Sequence, residues 1–224
     1  MTKYAEPPEM SITVLASKFQ QPIADLIDCL ISREYAKPDR VGSNFCECGY
    51  SASAIILLVA MLESMIQRNR YFFKKNNPSV KTKPVAYQYL HETLRYRRYV
   101  QIQELFELRN SIAHNHLWEV KYTWHKVGGR QHKQSSIVPD THRLSVLPPL
   151  NAKIPRTRIV RFNLQPSRID RTDLAKTLSV AVHLLEFLSK KEIPPIGIAR
   201  RVVVLRGGKR LPFSSLVQEV RDTL

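Results

Sequence analysis

A mainly α-helical bundle with a small β insertion and a small C-terminal hairpin-helix appendage is the fold this sequence predicts, on three observations. Apolar residues recur at three- and four-residue spacing over long stretches around 11–33, 51–75 and 170–190, the period of one helix face. Loosely alternating tracts flank Gly128-Gly129, and shorter apolar ones flank Gly207-Gly208, the pattern of two hairpins. With 224 residues, 43% hydrophobic and 24% charged, the chain has a globular composition and enough length to bury a core.

Residues 1–10 combine prolines with acids and read as a frayed end. Ser11 to Arg33 then carries Val14, Leu15, Phe19, Ile23, Leu26, Ile27 and Leu30, an amphipathic helix that Pro22 is placed to interrupt. Residues 36–50 hold Pro38, Gly42, Ser43, Asn44 and Gly49 and read as a loop, with Ser51 placed to cap the next helix. That helix runs to about Lys75. It is apolar almost all round in its first half and then turns to Gln67, Arg68, Arg70, Lys74 and Lys75, so it belongs at the centre of a bundle with its last turns in water. Its uninterrupted apolar run, Ala52 to Leu62 broken by Ser53, is shorter than the roughly twenty residues a membrane span needs, so no membrane is expected.

Asn76-Asn77-Pro78-Ser79 breaks the chain. From about Val85, the residues Leu90, Leu94, Leu105, Phe106, Leu108 and Ile112 predict one bent helix or two consecutive ones ending near His116. A β-hairpin or a long loop is expected next, with strands around 119–126 and 134–146, after which Pro148, Pro149 and Pro155 keep the chain extended as far as 158–163. Asp170 to Lys190, with Leu174, Leu178, Val182, Leu185 and Leu188 on one side, closes the bundle before Pro194-Pro195. A hairpin over Val202 to Phe213 and a capping box, Ser215-x-x-Gln218, end the chain. The division is thus 1–50, a helix and loop packing on the bundle; 51–195, the helical domain with its insertion at about 119–165; and 196–224, an appendage that either packs on the bundle or binds a partner.

Lys and Arg number 35 against 19 Asp and Glu, a formal charge of +16 that suits a polyanionic partner, nucleic acid first among them. The three cysteines, Cys29, Cys46 and Cys48, have no disulfide-framework spacing, and residues 1–10 do not form a basic-then-apolar leader, so a reducing cytoplasm is expected. Cys46-x-Cys48 has no second pair to complete a zinc site, and His125, His132 and His142 follow no ligand pattern, so neither metal nor cofactor is expected. The sequence also has no glycine-rich phosphate loop, no paired catalytic carboxylates and no nucleophile elbow.

The most informative stretch is Arg109-Asn110-Ser111-Ile112-Ala113-His114. On a helix Asn110 and His114 share a face, while Arg109 must swing round to meet the same substrate; His116, seven from Arg109, is the reserve imidazole. RNA carries its own nucleophile, the 2′-hydroxyl. An imidazole can move its proton, a guanidinium can hold two phosphate oxygens as charge grows, and an amide can orient either. The competing reading is structural: His114 favoured at a helix C-terminus, and Arg109 paired with Glu104, Glu107 or Glu63. Glu63 is either that partner or the polar edge of a core helix. Arg95, Arg97 and Arg98, interleaved with Tyr96 and Tyr99, form either a nucleic-acid-binding cluster with rings stacking on bases or a solvated face with its rings turned inward.

The Arg-Asn-x-x-x-His form of this stretch, the upstream apolar helix carrying Leu62-Glu63 and the late closing helix resemble the HEPN superfamily of prokaryotic ribonucleases over roughly residues 50–190. The resemblance implies a HEPN-like bundle acting as a metal-independent endoribonuclease. It also implies a composite site built by two protomers in a homodimer, and a toxin–antitoxin or antiviral defence setting with an antitoxin or regulatory partner. The alternatives are a non-catalytic HEPN-like module that binds RNA or protein, and a basic DNA-binding protein.

Overall fold

The computed structural model describes residues 19–32, 44–113, 118–127, 130–139, 156–165, 168–191 and 203–222. Six helices and two hairpins make up these segments, a mainly α architecture. Helix α1 spans Gln20–Ser32, with Pro22 in its first turn, where the ring blocks no helical hydrogen bond. Phe19 precedes the helix and its carbonyl accepts from Ile23 N, so Pro22 sits in the opening turn, and the expected helical stretch 11–18 lies outside the described residues.

Helix α2 spans Asn44–Asn76, about 50 Å at 1.5 Å per residue. It begins well before the expected cap, so Ser51 is an interior, fully buried residue and the expected loop is partly helix. Ala54, Ile55, Leu58, Val59, Met61, Leu62 and Ile66 form one broad buried stripe against α1 and the closing helix. The segment Gly49–Asn76 is nevertheless long and apolar enough, by length and composition, to cross a membrane, more than its uninterrupted run suggested. Lys74 and Lys75 occupy the last turn, and Asn77 donates from both its backbone and its side chain to the Phe73 carbonyl, satisfying that end.

The next stretch is two helices: α3, Ala86–Glu92, and α4, Tyr99–Ala113. Between them Arg95 takes a left-handed conformation (φ 57°), while Leu94 N and Tyr96 N bond back to the Tyr89 and Leu90 carbonyls. Strands β1 (Trp118–Val127) and β2 (Arg130–Pro139) pair antiparallel, Val127 opposite Arg130. The second strand therefore starts just after Gly128-Gly129, earlier than expected, and its expected continuation over 140–146 lies outside the described residues. Residues 156–163 form a tight loop in which Arg156 bridges to Asn163 and Thr157 pairs with Phe162.

Helix α5, Arg171–Lys190, is capped by Asp170, whose carboxylate accepts from Thr172 N and Asp173 N. Strands β3 (Val203–Arg206) and β4 (Lys209–Pro212) turn through Gly207 and Gly208 at φ +52° and +76°, the two positive angles such a hairpin turn requires. Helix α6 covers Ser215–Asp222. Its expected capping box does not form: Ser215 Oγ donates to the Pro212 carbonyl and Gln218 Nε2 to Asp222. The C-terminal unit packs on the bundle, since Val204, Phe213, Leu216 and Val220 join the same buried cluster as Ile23, Leu58 and Leu184. Gln21 clamps it as well, accepting from Leu205 N (2.8 Å) and donating to Leu205 O (2.9 Å).

Candidate nucleic-acid site

Ile102, Leu105 and Leu108 turn one face of α4 into the core, which puts Arg109 on the flank that meets α2. Arg109 Nη2 lies 3.6 Å from Glu63 Oε2, with the two side chains 30% and 40% exposed. Its guanidinium carbon stands 5.8 Å from the Phe106 ring centroid, and its Nε is buried without a hydrogen-bond partner among the described residues. Of the two readings of Glu63, this is the Arg109 partner. A partly exposed pair at this distance gives modest attraction but directs the group, and one carboxylate leaves most of the five guanidinium donors unoccupied.

The other two acids named for Arg109 are engaged elsewhere. Glu104 is buried and accepts from Ile159 N (2.7 Å) and Val160 N (2.8 Å), and Glu107 accepts from Gln103. Burial and the neighbouring Glu104 push the Glu107 carboxyl up, against the Gln103 hydrogen bond. Asn110 is exposed, and Ser111 is buried with its hydroxyl on the Leu108 carbonyl. His114 and His116 lie outside the described residues.

The Arg95–Tyr99 cluster divides by side. Arg95, Arg97 and Arg98 are exposed, while Leu94 and Tyr96 point inward, on a turn that bends at the left-handed Arg95. Tyr96 is buried with its ring 4.7 Å from that of Phe187, and burial raises its phenol while Arg98 lowers it. A base-stacking role for Tyr96 is therefore corrected to a core role, because bundle packing occupies its ring. Tyr99 is partly buried and stacks on His91 at 3.9 Å.

A second basic region joins Arg98 to residues the sequence did not single out. A cleft of about 290 Å³ is lined by Arg98 and Gln101 at the start of α4, by Val160, by Thr172, Lys176, Ser179 and His183 of α5, and by Arg221 of α6. Among the described residues no carboxylate lines it. The Thr172, Lys176, Ser179, His183 spacing of four, three and four was the available signal, a polar stripe opposite the apolar face. What the sequence hid was the arrival of Arg98 and Arg221 from distant segments.

The cleft has a rigid wall. Glu104 pins the loop through two backbone N–H groups, and fully buried Asp173 accepts from Asn163 N (3.1 Å) and Asn163 Nδ2 (2.8 Å) at its far end. Burial pushes the Asp173 carboxyl up; the Asn163 bonds pull it back, Asp170 raises it and Lys176 lowers it. Among the described residues no three of His, Cys, Asp or Glu come together as a metal-ligand set, and the side chains of Cys46, Cys48, His125, His132 and His142 lie outside them. No family model matches the sequence, no curated protein is similar to it, and no solved structure matches its fold.

Proposed function

We propose that the chain is a metal-independent endoribonuclease of the HEPN type, working in the cytoplasm, free of membrane, as a toxin or antiviral defence effector under an antitoxin or regulatory partner. The single observation that carries this reading is the placement of Arg109, partly exposed, on the flank of the motif helix that meets α2. Glu63 and Phe106 orient its guanidinium while leaving it partly exposed, as a phosphate-binding group requires. In this reading His114 removes the 2′-hydroxyl proton or protonates the leaving oxygen, and Arg109 stabilises the pentacoordinate phosphorane. Asn110, exposed one residue further along, orients the phosphate or the imidazole.

Cleavage of RNA by the purified chain tests this. His114→Ala should lose at least about a hundredfold, the scale of general acid–base catalysis, and Arg109→Lys should recover little of what Arg109→Ala loses, because an ammonium lacks the planar fork. Products should end in 2′,3′-cyclic phosphate and form in EDTA. Equal cleavage by wild type and all three single variants would remove the motif from the chemistry. One observation favours a second reading, a non-catalytic module that binds RNA or protein. The Arg109–Glu63 pair also links α4 to α2, a role that needs no turnover. RNA binding without cleavage would select that reading.

A further inference from the structure

The cleft between α4, α5, α6 and the 156–163 loop lies apart from the motif. Gln101, in its lining, precedes Arg109 by eight residues on α4, about 12 Å along the axis. Three basic side chains, Arg98, Lys176 and Arg221, share it with the hydroxyls of Thr172 and Ser179, the Gln101 amide and the His183 imidazole, and among the described residues no acid is in its walls. The N-terminus of α5 does not supply this character, because Asp170 already caps it.

Several of these groups are held in place before any ligand arrives. Lys176 Nζ donates to the Arg161 carbonyl (3.1 Å), which can face it because Arg161 takes a left-handed conformation (φ 64°) that an L side chain adopts only at a cost. Arg221 Nη2 donates to Ser179 Oγ (3.2 Å), and His183 Nδ1 stands 3.8 Å from Glu186. The loop bearing Val160 is fixed by two buried carboxylates, Glu104 and Asp173, and Asp173 Oδ1 also stands 4.0 Å from Lys176 Nζ. Such a cleft costs little to organise around an anion. Several donors converging from three elements suit the multiple oxygens of a phosphate better than the two of a carboxylate.

We infer that this cleft binds a backbone phosphate of single-stranded RNA and anchors the strand beside the motif. The inference rests on the ribonuclease reading for its choice of polyanion, and the chain's +16 charge favours a ligand with many phosphates over a small one.

The test uses the full chain and a labelled 2′-O-methyl RNA of mixed sequence, which has no attacking hydroxyl and so reports binding alone. Arg98 and Arg221 are both exposed, so the double variant Arg98→Gln/Arg221→Gln should keep its thermal midpoint. Its affinity should fall about tenfold, and the slope of log affinity against log salt should flatten by about 0.7 for each phosphate the variant no longer neutralises. The control Lys74→Gln/Lys75→Gln removes two exposed charges at the end of α2 and should change affinity less than about twofold. Equal losses in the two variants would overturn the anchor. So would binding of inorganic phosphate in the cleft with no binding of RNA, which would assign it to a small ligand. Cleavage of unmodified RNA runs in parallel: RNA held through the cleft but never cut defeats the ribonuclease reading alone, and RNA cut while both variants bind alike defeats the anchor alone.

Discussion

Asp173 shows how one residue type divides between solvent and core. Its neighbour Asp170 caps α5 from a half-exposed position, whereas Asp173 is fully buried and spends both oxygens on Asn163. Asp173→Asn should cost about 1–3 kcal/mol, because an amide donor would then face the Asn163 amide, whose own oxygen already accepts from Arg156. The pH dependence follows from the raised folded-state pKa. Native protein holds this proton more tightly than unfolded protein above the ordinary value of 3.8, so the Asp173 contribution to stability grows as pH falls through the raised value and shrinks toward neutrality. Urea unfolding from neutral pH down to about 4 should show the margin of wild type over Asp173→Asn widening on acidification. A margin constant with pH would contradict the assignment. At the same scale, Tyr89→Phe should cost about 1–3 kcal/mol by leaving the buried Asn69 oxygen without the phenol that donates to it at 2.6 Å.

Among the elements, helix lengths and partners follow from the apolar stripes, and the connections follow from single polar residues. The 156–163 loop buries Phe162 in the core and exposes Ile159, and between them Glu104, far away in sequence on α4, accepts from two consecutive N–H groups. Glu104→Gln should free one of those N–H groups and cost about 1–3 kcal/mol. Amide hydrogen exchange should show Ile159 and Val160 losing protection while the core of α2 keeps its own. Uniform loss across both would mean that Glu104 supports the whole bundle instead of the loop. The β3–β4 turn makes the complementary case, since a Cβ at Gly208 would meet no atom within 4 Å but would have to sit at φ +76°. Gly208→Ala should therefore destabilise by about 1 kcal/mol through backbone strain alone.

For the molecule as a whole, the question is whether one chain completes the proposed site. Arg109 and the motif imidazole are five residues apart, a spacing that converges poorly within one helix, and the HEPN resemblance implies two protomers pooling their motifs. A two-fold homodimer with α4 near its axis is the expected active species, the commonest symmetric solution. Mass in solution at assay concentration decides this: a monomer with full cleavage activity would exclude it. Mixing Arg109→Ala with His114→Ala chains should restore part of the activity if the protomers contribute different groups.

The helical class, the closing helix, the C-terminal hairpin and the basic balance were legible in the residues alone, because periodicity and glycine placement are local and the charge sum needs no geometry. The sequence placed Arg109 near the end of a helix and offered Glu63 as its partner. Only the tertiary structure decided between the partners, because choosing Glu63 over Glu104 and Glu107 depended on which acids the core and the loop had already taken. Bundle packing turned Tyr96 inward onto Phe187, α2 starts at Asn44, and Ser215 turns its hydroxyl to the Pro212 carbonyl instead of forming a capping box. The cleft joins residues from 98 to 221, and no window of sequence spans contacts made by packing three helices and a loop together.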